Sequence, residues 1–113
     1  MSKTKIALVQ MKMSSDPKKN IQNATNKIKI AAKNGAKVIC LPELFLTKYF
    51  CQVENHKNFN LAEKIPGPNS HFFSLLAKEL KIILMISLFE KKTSGLYHNS
   101  SIVINEKGKI LGK

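Results

Sequence analysis

Two short aliphatic runs, Lys5 to Gln10 (KIALVQ) and Lys37 to Leu41 (KVICL), bracket a segment with a different period. Each run is too short for a stable helix and too apolar for a half-solvated strand, so both read as strands buried on both faces. Between them, Ile21, Ala24, Ile28, Ala31 and Ala32 recur at helical spacing. Asp16 is placed to cap that helix and Pro17 to fill its first turn, where a missing N–H costs nothing. Asn34-Gly35 supplies the left-handed residue that ends it. Strand, helix and strand with tight connections form a βαβ unit, which demands parallel strands and a right-handed crossover. Pro42 and Glu43 then fall at the carboxyl end of the second strand.

The rest of the chain extends the alternation. Leu44 to Ile65 shows no sustained period and reads as a long ordered loop with one helical turn, the kind of connection that often carries function. Pro66-Gly67-Pro68-Asn69 is turn punctuation, and Phe72, Leu75, Leu76 and Leu80 then line one face of a second helix. Ile82 to Glu90 reads as a third strand, and Thr93-Ser94-Gly95 as a turn. Tyr97 to Ile104 and Lys109 to Leu111 flank Asn105-Glu106-Lys107-Gly108 as a hairpin with Gly108 at a positive φ. The order is β-α-β-α-β-β-β, an α/β fold. At 113 residues the chain supports one core. Ile110-Leu111-Gly112-Lys113 looks like a strand still in progress, which points to a fragment.

Charge narrows the function classes. The net charge is +12, yet all nineteen basic residues are lysine and are spread from Lys3 to Lys113. Without arginine there is no bidentate reader of guanine or phosphate, so the charge is expected to sit on a solvated surface, with no nucleic acid bound. A non-catalytic basic interaction or nucleic-acid-binding domain stands as the alternative, testable by salt-dependent oligonucleotide binding. No apolar run reaches the roughly 20 residues of a membrane helix, and no signal-peptide pattern opens the chain; cytoplasm and no membrane partner are the expectation. Two cysteines without Cys-x-x-Cys spacing, and His56, His71 and His98 without ligand spacing, give no metal site, and no cofactor motif is present.

Leu41-Pro42-Glu43-Leu44-Phe45 is the most informative stretch. A carboxylate directly after a buried parallel strand lies where open α/β sheets collect ligands. Partial desolvation there would make Glu43 a general base; a glutamate that caps a turn or pairs with a lysine is the competing reading. Cys40, inside the aliphatic strand, reads as core packing. Cys51, after Tyr49 and Phe50, is either a pocket residue or an ordinary loop thiol. Tyr49 and Phe50 are either loop-packing aromatics or pocket lining.

These residues, in order, resemble the nitrilase superfamily of carbon–nitrogen hydrolases. Lys5 to Gln10, Gly35-Ala36 to Phe45, Pro66-Gly67-Pro68, Leu88-Phe89-Glu90, Tyr97-His98-Asn99-Ser100 and Gly108 to Gly112 follow the family's opening. Tyr49-Phe50-Cys51-Gln52 looks like the N-carbamoylputrescine amidases within it. The resemblance implies the N-terminal part of a four-layer αββα sandwich over residues 4–113, with a Glu-Lys-Cys triad and a small amide or carbamoyl-amine substrate. It also implies a homo-oligomer for the full-length protein. The family glutamate falls on Glu43, as acceptor of the thiol proton, and Tyr49 and Cys51 become candidates for substrate binding. The family lysine lies in a Tyr-Arg-Lys segment expected directly after Lys113, and the cysteine further on. Neither Cys40 nor Cys51 matches the nucleophile's motif. The 113-residue chain alone is therefore expected to be inactive, and a sandwich missing a sheet to leave an aliphatic face exposed. For a cationic amine, Glu54 and Glu63 are the acidic groups to consider.

Overall fold

The computed structural model describes residues 3–43, 62–93 and 96–113. The elements follow the expected order: β1 (Lys5–Leu8), α1 (Pro17–Lys33), β2 (Ala36–Cys40), α2 (Pro68–Leu80), β3 (Ile83–Thr93), β4 (Leu96–Ile104) and β5 (Ile110–Gly112). They form one five-stranded sheet in the order β1-β2-β3-β4-β5. β1, β2 and β3 are parallel, as helical crossovers require, and β4 and β5 follow antiparallel through short connections.

Local chemistry explains the helix ends. Asp16 accepts a hydrogen bond from Lys18 N at 3.0 Å and Pro17 opens α1. Just ahead of the cap, the buried Asn20 side chain reaches back to the Ser14 backbone, accepting from its N–H and donating to its carbonyl, both at 2.8 Å. Gly35, at φ +94°, ends the helix as expected. At α2, Gly67 N donates to Ser70 Oγ at 2.7 Å while Ser70 Oγ donates to Gly67 O at 3.0 Å, so one buried serine satisfies the helix entry. Gly108 has φ +79°, and a side chain there would meet Ser74 O of α2 at 2.7 Å, so the β4–β5 turn needs glycine for conformation and for space.

Both helices cover one face of the sheet. Ala24 and Ile28 from α1 and Phe73, Leu76 and Ala77 from α2 pack with Ile39, Leu84, Ile86, Leu88, Ile102 and Ile104 into a single core. Cross-strand pairing places Ile6 with Val38, Leu8 with Cys40, Cys40 with Met85, and Met85 with Val103 on the opposite face. That face carries no helix among the described residues, and Ile6 and Leu8 are 62% and 77% exposed. Among the described residues the open face is aliphatic at β1, with Met85 of β3 also exposed at 41%.

Three expectations are corrected. β1 is not buried on both faces, because it is an edge strand whose Ile6 and Leu8 lie on the uncovered side. In α2 the buried stripe is Phe73, Leu76 and Ala77, whereas Phe72 and Leu75 are exposed at 42% and 56%. The stripe is turned by about one residue, since Ser70 is drawn inward by its cap. Nor is the segment up to Ile65 all loop: Glu63 runs parallel to β3, with Glu63 N donating to Phe89 O at 2.9 Å and Lys91 N to Glu63 O at 2.7 Å.

Candidate functional site

The sheet creates a step at the end of β2. β2 pairs with β3 only through Ile83, Leu84 and Met85, and Leu41 N then donates to Met85 O at 3.0 Å. β3 continues for eight residues beyond Met85, from Ile86 to Thr93, paired on its other side with β4. The chain leaving β2 therefore passes Pro42 and Glu43 across the exposed flank of β3 and β4. Glu43 stands beside a cleft of about 320 Å³ lined by Leu41, Glu43, Ser87, Asn99 and Ser101. This is the carboxyl end of the parallel strands, where the sequence places it.

Register explains why those side chains converge. Ser87 is directly opposite Ser101, and Phe89 opposite Asn99, so Ser87, Asn99 and Ser101 share the uncovered face of the sheet. Asn99 Nδ2 donates to Glu43 Oε1, a contact that links residues 56 apart in the chain. Ser87 Oγ and Asn99 Oδ1 are 3.1 Å apart, and the hydroxyl must be the donor because an amide oxygen only accepts. Apart from Leu41 and the Glu43 carboxylate, the described lining of the cleft is polar and neutral. No ion pair engages Glu43 among the described residues. Against the described residues Glu43 is exposed, and no contact among them supports the competing turn-cap or lysine-pair role. Sequence reasoning singled out Glu43 but passed over Asn99, Ser87 and Ser101. Their signal was period-two alternation of small polar residues on strands that are otherwise aliphatic.

The other candidates separate from this group. Cys40 does not pack into the core: its half-buried thiol lies on the uncovered face, 3.5 Å from Met85 Sδ. Strand alternation puts Ile39, not Cys40, among the helices. Glu63 lies on the other side of the sheet, beside α2, where its Oε2 accepts from Asn69 Nδ2 at 2.7 Å and its buried Oε1 has no partner among the described residues. Burial pushes its carboxyl up from the ordinary value, partly offset by the Asn69 bond. That placement removes Glu63 from the group around Glu43. Tyr49, Phe50, Cys51 and Glu54 lie outside the described residues, as does His56.

A second carboxylate sits on the helix side of β3. Glu90 is 2% exposed, accepts from Ser100 Oγ at 2.9 Å and pairs with Lys113 Nζ at 2.6 Å. Burial acts to raise its carboxyl, but the Lys113 and Ser100 hydrogen bonds and the nearby ammonium groups outweigh it and hold it below the ordinary value.

Known proteins share this fold. A family model described as carbon–nitrogen hydrolase matches residues 5–113. The chain is 39% identical to a citrullinase of Francisella tularensis, over 99% of this chain and 39% of that protein. It is 35% identical to an N-carbamoylputrescine amidase of Oryza sativa, over 98% and 37%, and 34% identical to the human omega-amidase NIT2, over 100% and 40%. Among solved structures, a carbon–nitrogen hydrolase of Helicobacter pylori superposes with a TM-score of 0.87 at 38% identity, covering 94% of this chain and 37% of that one. The chain spans about two-fifths of the length of the relatives it matches. With a matched family model over nearly its whole length and a fold shared with solved members, this chain belongs to the carbon–nitrogen hydrolases of the nitrilase superfamily.

Proposed function

We propose that this chain is the base-bearing N-terminal portion of an amidase that cleaves a non-peptide C–N bond, with N-carbamoylputrescine as the substrate and Glu43 as the base. The observation that carries the reading is the Glu43 carboxylate at the carboxyl end of β2, held by a neutral amide at the edge of a polar cleft. Relatives named for citrulline, N-carbamoylputrescine and omega-amide chemistry agree on a terminal carbonyl bearing nitrogen. The Tyr49-Phe50-Cys51-Gln52 element favours N-carbamoylputrescine among them.

In this reading Glu43 accepts the proton of a thiol that a segment outside residues 1–113 supplies. The thiolate adds to the carbonyl carbon, and a lysine, also from outside, stabilises the oxyanion. The proton held by Glu43 passes to the leaving nitrogen, and ammonia departs from an N-alkylcarbamoyl thioester. Glu43 then takes a proton from water as it attacks the thioester. The thiol is restored, and the carbamic acid loses carbon dioxide to leave putrescine. Tyr49 and Cys51 are the candidates for binding the substrate, and no cofactor takes part.

The test compares the 113-residue chain with a chimera in which it replaces the matching N-terminal part of the Francisella citrullinase. The chain alone releases no ammonia from N-carbamoylputrescine; the chimera does, and Glu43→Gln abolishes it. Ammonia release by the chain alone, or a Glu43→Gln chimera as fast as its parent, overturns the reading. A chimera that still prefers citrulline overturns the substrate assignment alone.

A further inference from the structure

The cleft contains one more device than the reaction above names. We propose that Asn99 is a positioning residue for Glu43: the Ser87 hydroxyl engages the amide oxygen of Asn99, which commits the NH2 group to Glu43 Oε1 and leaves Oε2 as the oxygen that accepts a proton. The inference rests on the hydrolase reading for its catalytic meaning and on geometry for its substance. Three side chains from three elements meet in sequence, Ser87 from β3, Asn99 from β4 and Glu43 from the turn after β2.

The direction of the relay follows from donor and acceptor inventory. A primary amide has an accepting end and a donating end, and rotation by half a turn exchanges them. Turned the wrong way, Asn99 would aim its oxygen at an ionised carboxylate. The hydroxyl at 3.1 Å from Oδ1 supplies the donor that the correct orientation needs. Glu43 is exposed and lies in the turn after β2, so without this bond nothing else among the described residues would fix its rotamer. Among the described residues no group engages Oε2, and Glu43 lines the cleft. A neutral donor suits this task better than a lysine: it fixes the carboxylate without the strong attraction that would make it a poor proton acceptor.

The experiment has two arms. In the 15N-labelled 113-residue chain, the Asn99 side-chain NH2 resonances are followed during acidification. One of the pair tracks the protonation of Glu43; Glu43→Gln removes that dependence, and Ser87→Ala weakens it while Ser87→Thr restores it. In the citrullinase chimera, Asn99→Asp, which keeps the shape and removes the donor, lowers kcat about tenfold to a hundredfold with KM changed less than about threefold. Asn99 resonances indifferent to Glu43→Gln, or an Asn99→Asp chimera with unchanged kcat, overturn the proposal. An inactive parent chimera whose chain still shows the Asn99–Glu43 coupling refutes the hydrolase reading and leaves the relay standing.

Discussion

Lys113→Met should destabilise this chain by about 2 to 3 kcal/mol, because it strands a buried carboxylate. Glu90 is 2% exposed and its Oε2 lies 2.6 Å from Lys113 Nζ, where two unit charges attract by about 6 kcal/mol at an effective dielectric constant near 20. Most of that attraction offsets the cost of taking the carboxylate out of water, and the Lys113 side chain, 34% exposed, is partly screened. Removing the ammonium leaves Glu90 with Ser100 as its remaining hydrogen-bond donor among the described residues. Glu90→Gln is milder, about 1 kcal/mol, since the amide oxygen still accepts from Ser100 and Lys113 returns to water. In the double variant no charge is stranded, so it should be more stable than Lys113→Met alone. Urea unfolding at neutral pH, followed by far-ultraviolet circular dichroism, gives all four corners of the cycle. A coupling under about 0.5 kcal/mol would show that the pair is no more than a surface contact. The acid limb supplies the sign: the folded carboxyl lies below the ordinary value of 4.5, so its contribution is present above that pH and is lost as pH falls through the folded value. Glu90→Gln should flatten that part of the curve.

Glu63 should behave in the opposite sense. Its folded carboxyl is raised above 4.5, so stability falls as pH rises through that range, and Glu63→Gln should be the more stable form at neutral pH with the gain vanishing in acid. Thermal melts across the acid range check this, and a destabilised Glu63→Gln at neutral pH would refute it. Gly108→Ala should cost about 2 kcal/mol, because it combines φ +79° with a 2.7 Å approach to Ser74 O, whereas Gly112→Ala, with nothing within 4 Å, should be nearly silent in the same urea assay. Leu8→Thr should leave stability within about 0.5 kcal/mol and reduce self-association in sedimentation velocity, while Ile39→Ala, fully buried, should cost about 3 kcal/mol.

Most of the fold was legible because helix and strand differ in period and the punctuation was strong. Asp16, Pro17, Gly35 and Gly108 each act as their residue type dictates. What failed was orientation. A run such as Ile6-Ala7-Leu8-Val9 has apolar residues on both faces, so composition cannot say which face is covered, and the answer depends on sheet order. The helical stripe in α2 was ambiguous for a related reason: Phe72 and Phe73 are adjacent and equally apolar, and the choice between them is made by Ser70 capping from inside. The site divided in the same way. A carboxylate after a strand is a local signal, but its partners lie 44 and 56 residues away from it on β3 and β4, and only the register of those strands brings Ser87 and Asn99 to the same face.

β3 shows why carboxylates near one strand can have different uses. Glu90 is dry, faces the helices, and meets an ammonium and a hydroxyl; its charge is fixed and its proton affinity reduced, which suits a fastener and disqualifies a base. Glu63 is half-buried, with one oxygen unpartnered among the described residues, and burial makes it hold its proton more tightly. Glu43 has one oxygen held by a neutral donor and lines a largely polar cleft. A proton acceptor must be held in place, reachable, and not already neutralised by a cation. Of the three, only Glu43 meets all these conditions, and it does so because β2 stops where β3 and β4 continue. Extending β2 by two paired residues would carry Glu43 past Ser87 and Asn99, which makes the length of that strand, as much as the identity of the carboxylate, the determinant of the site.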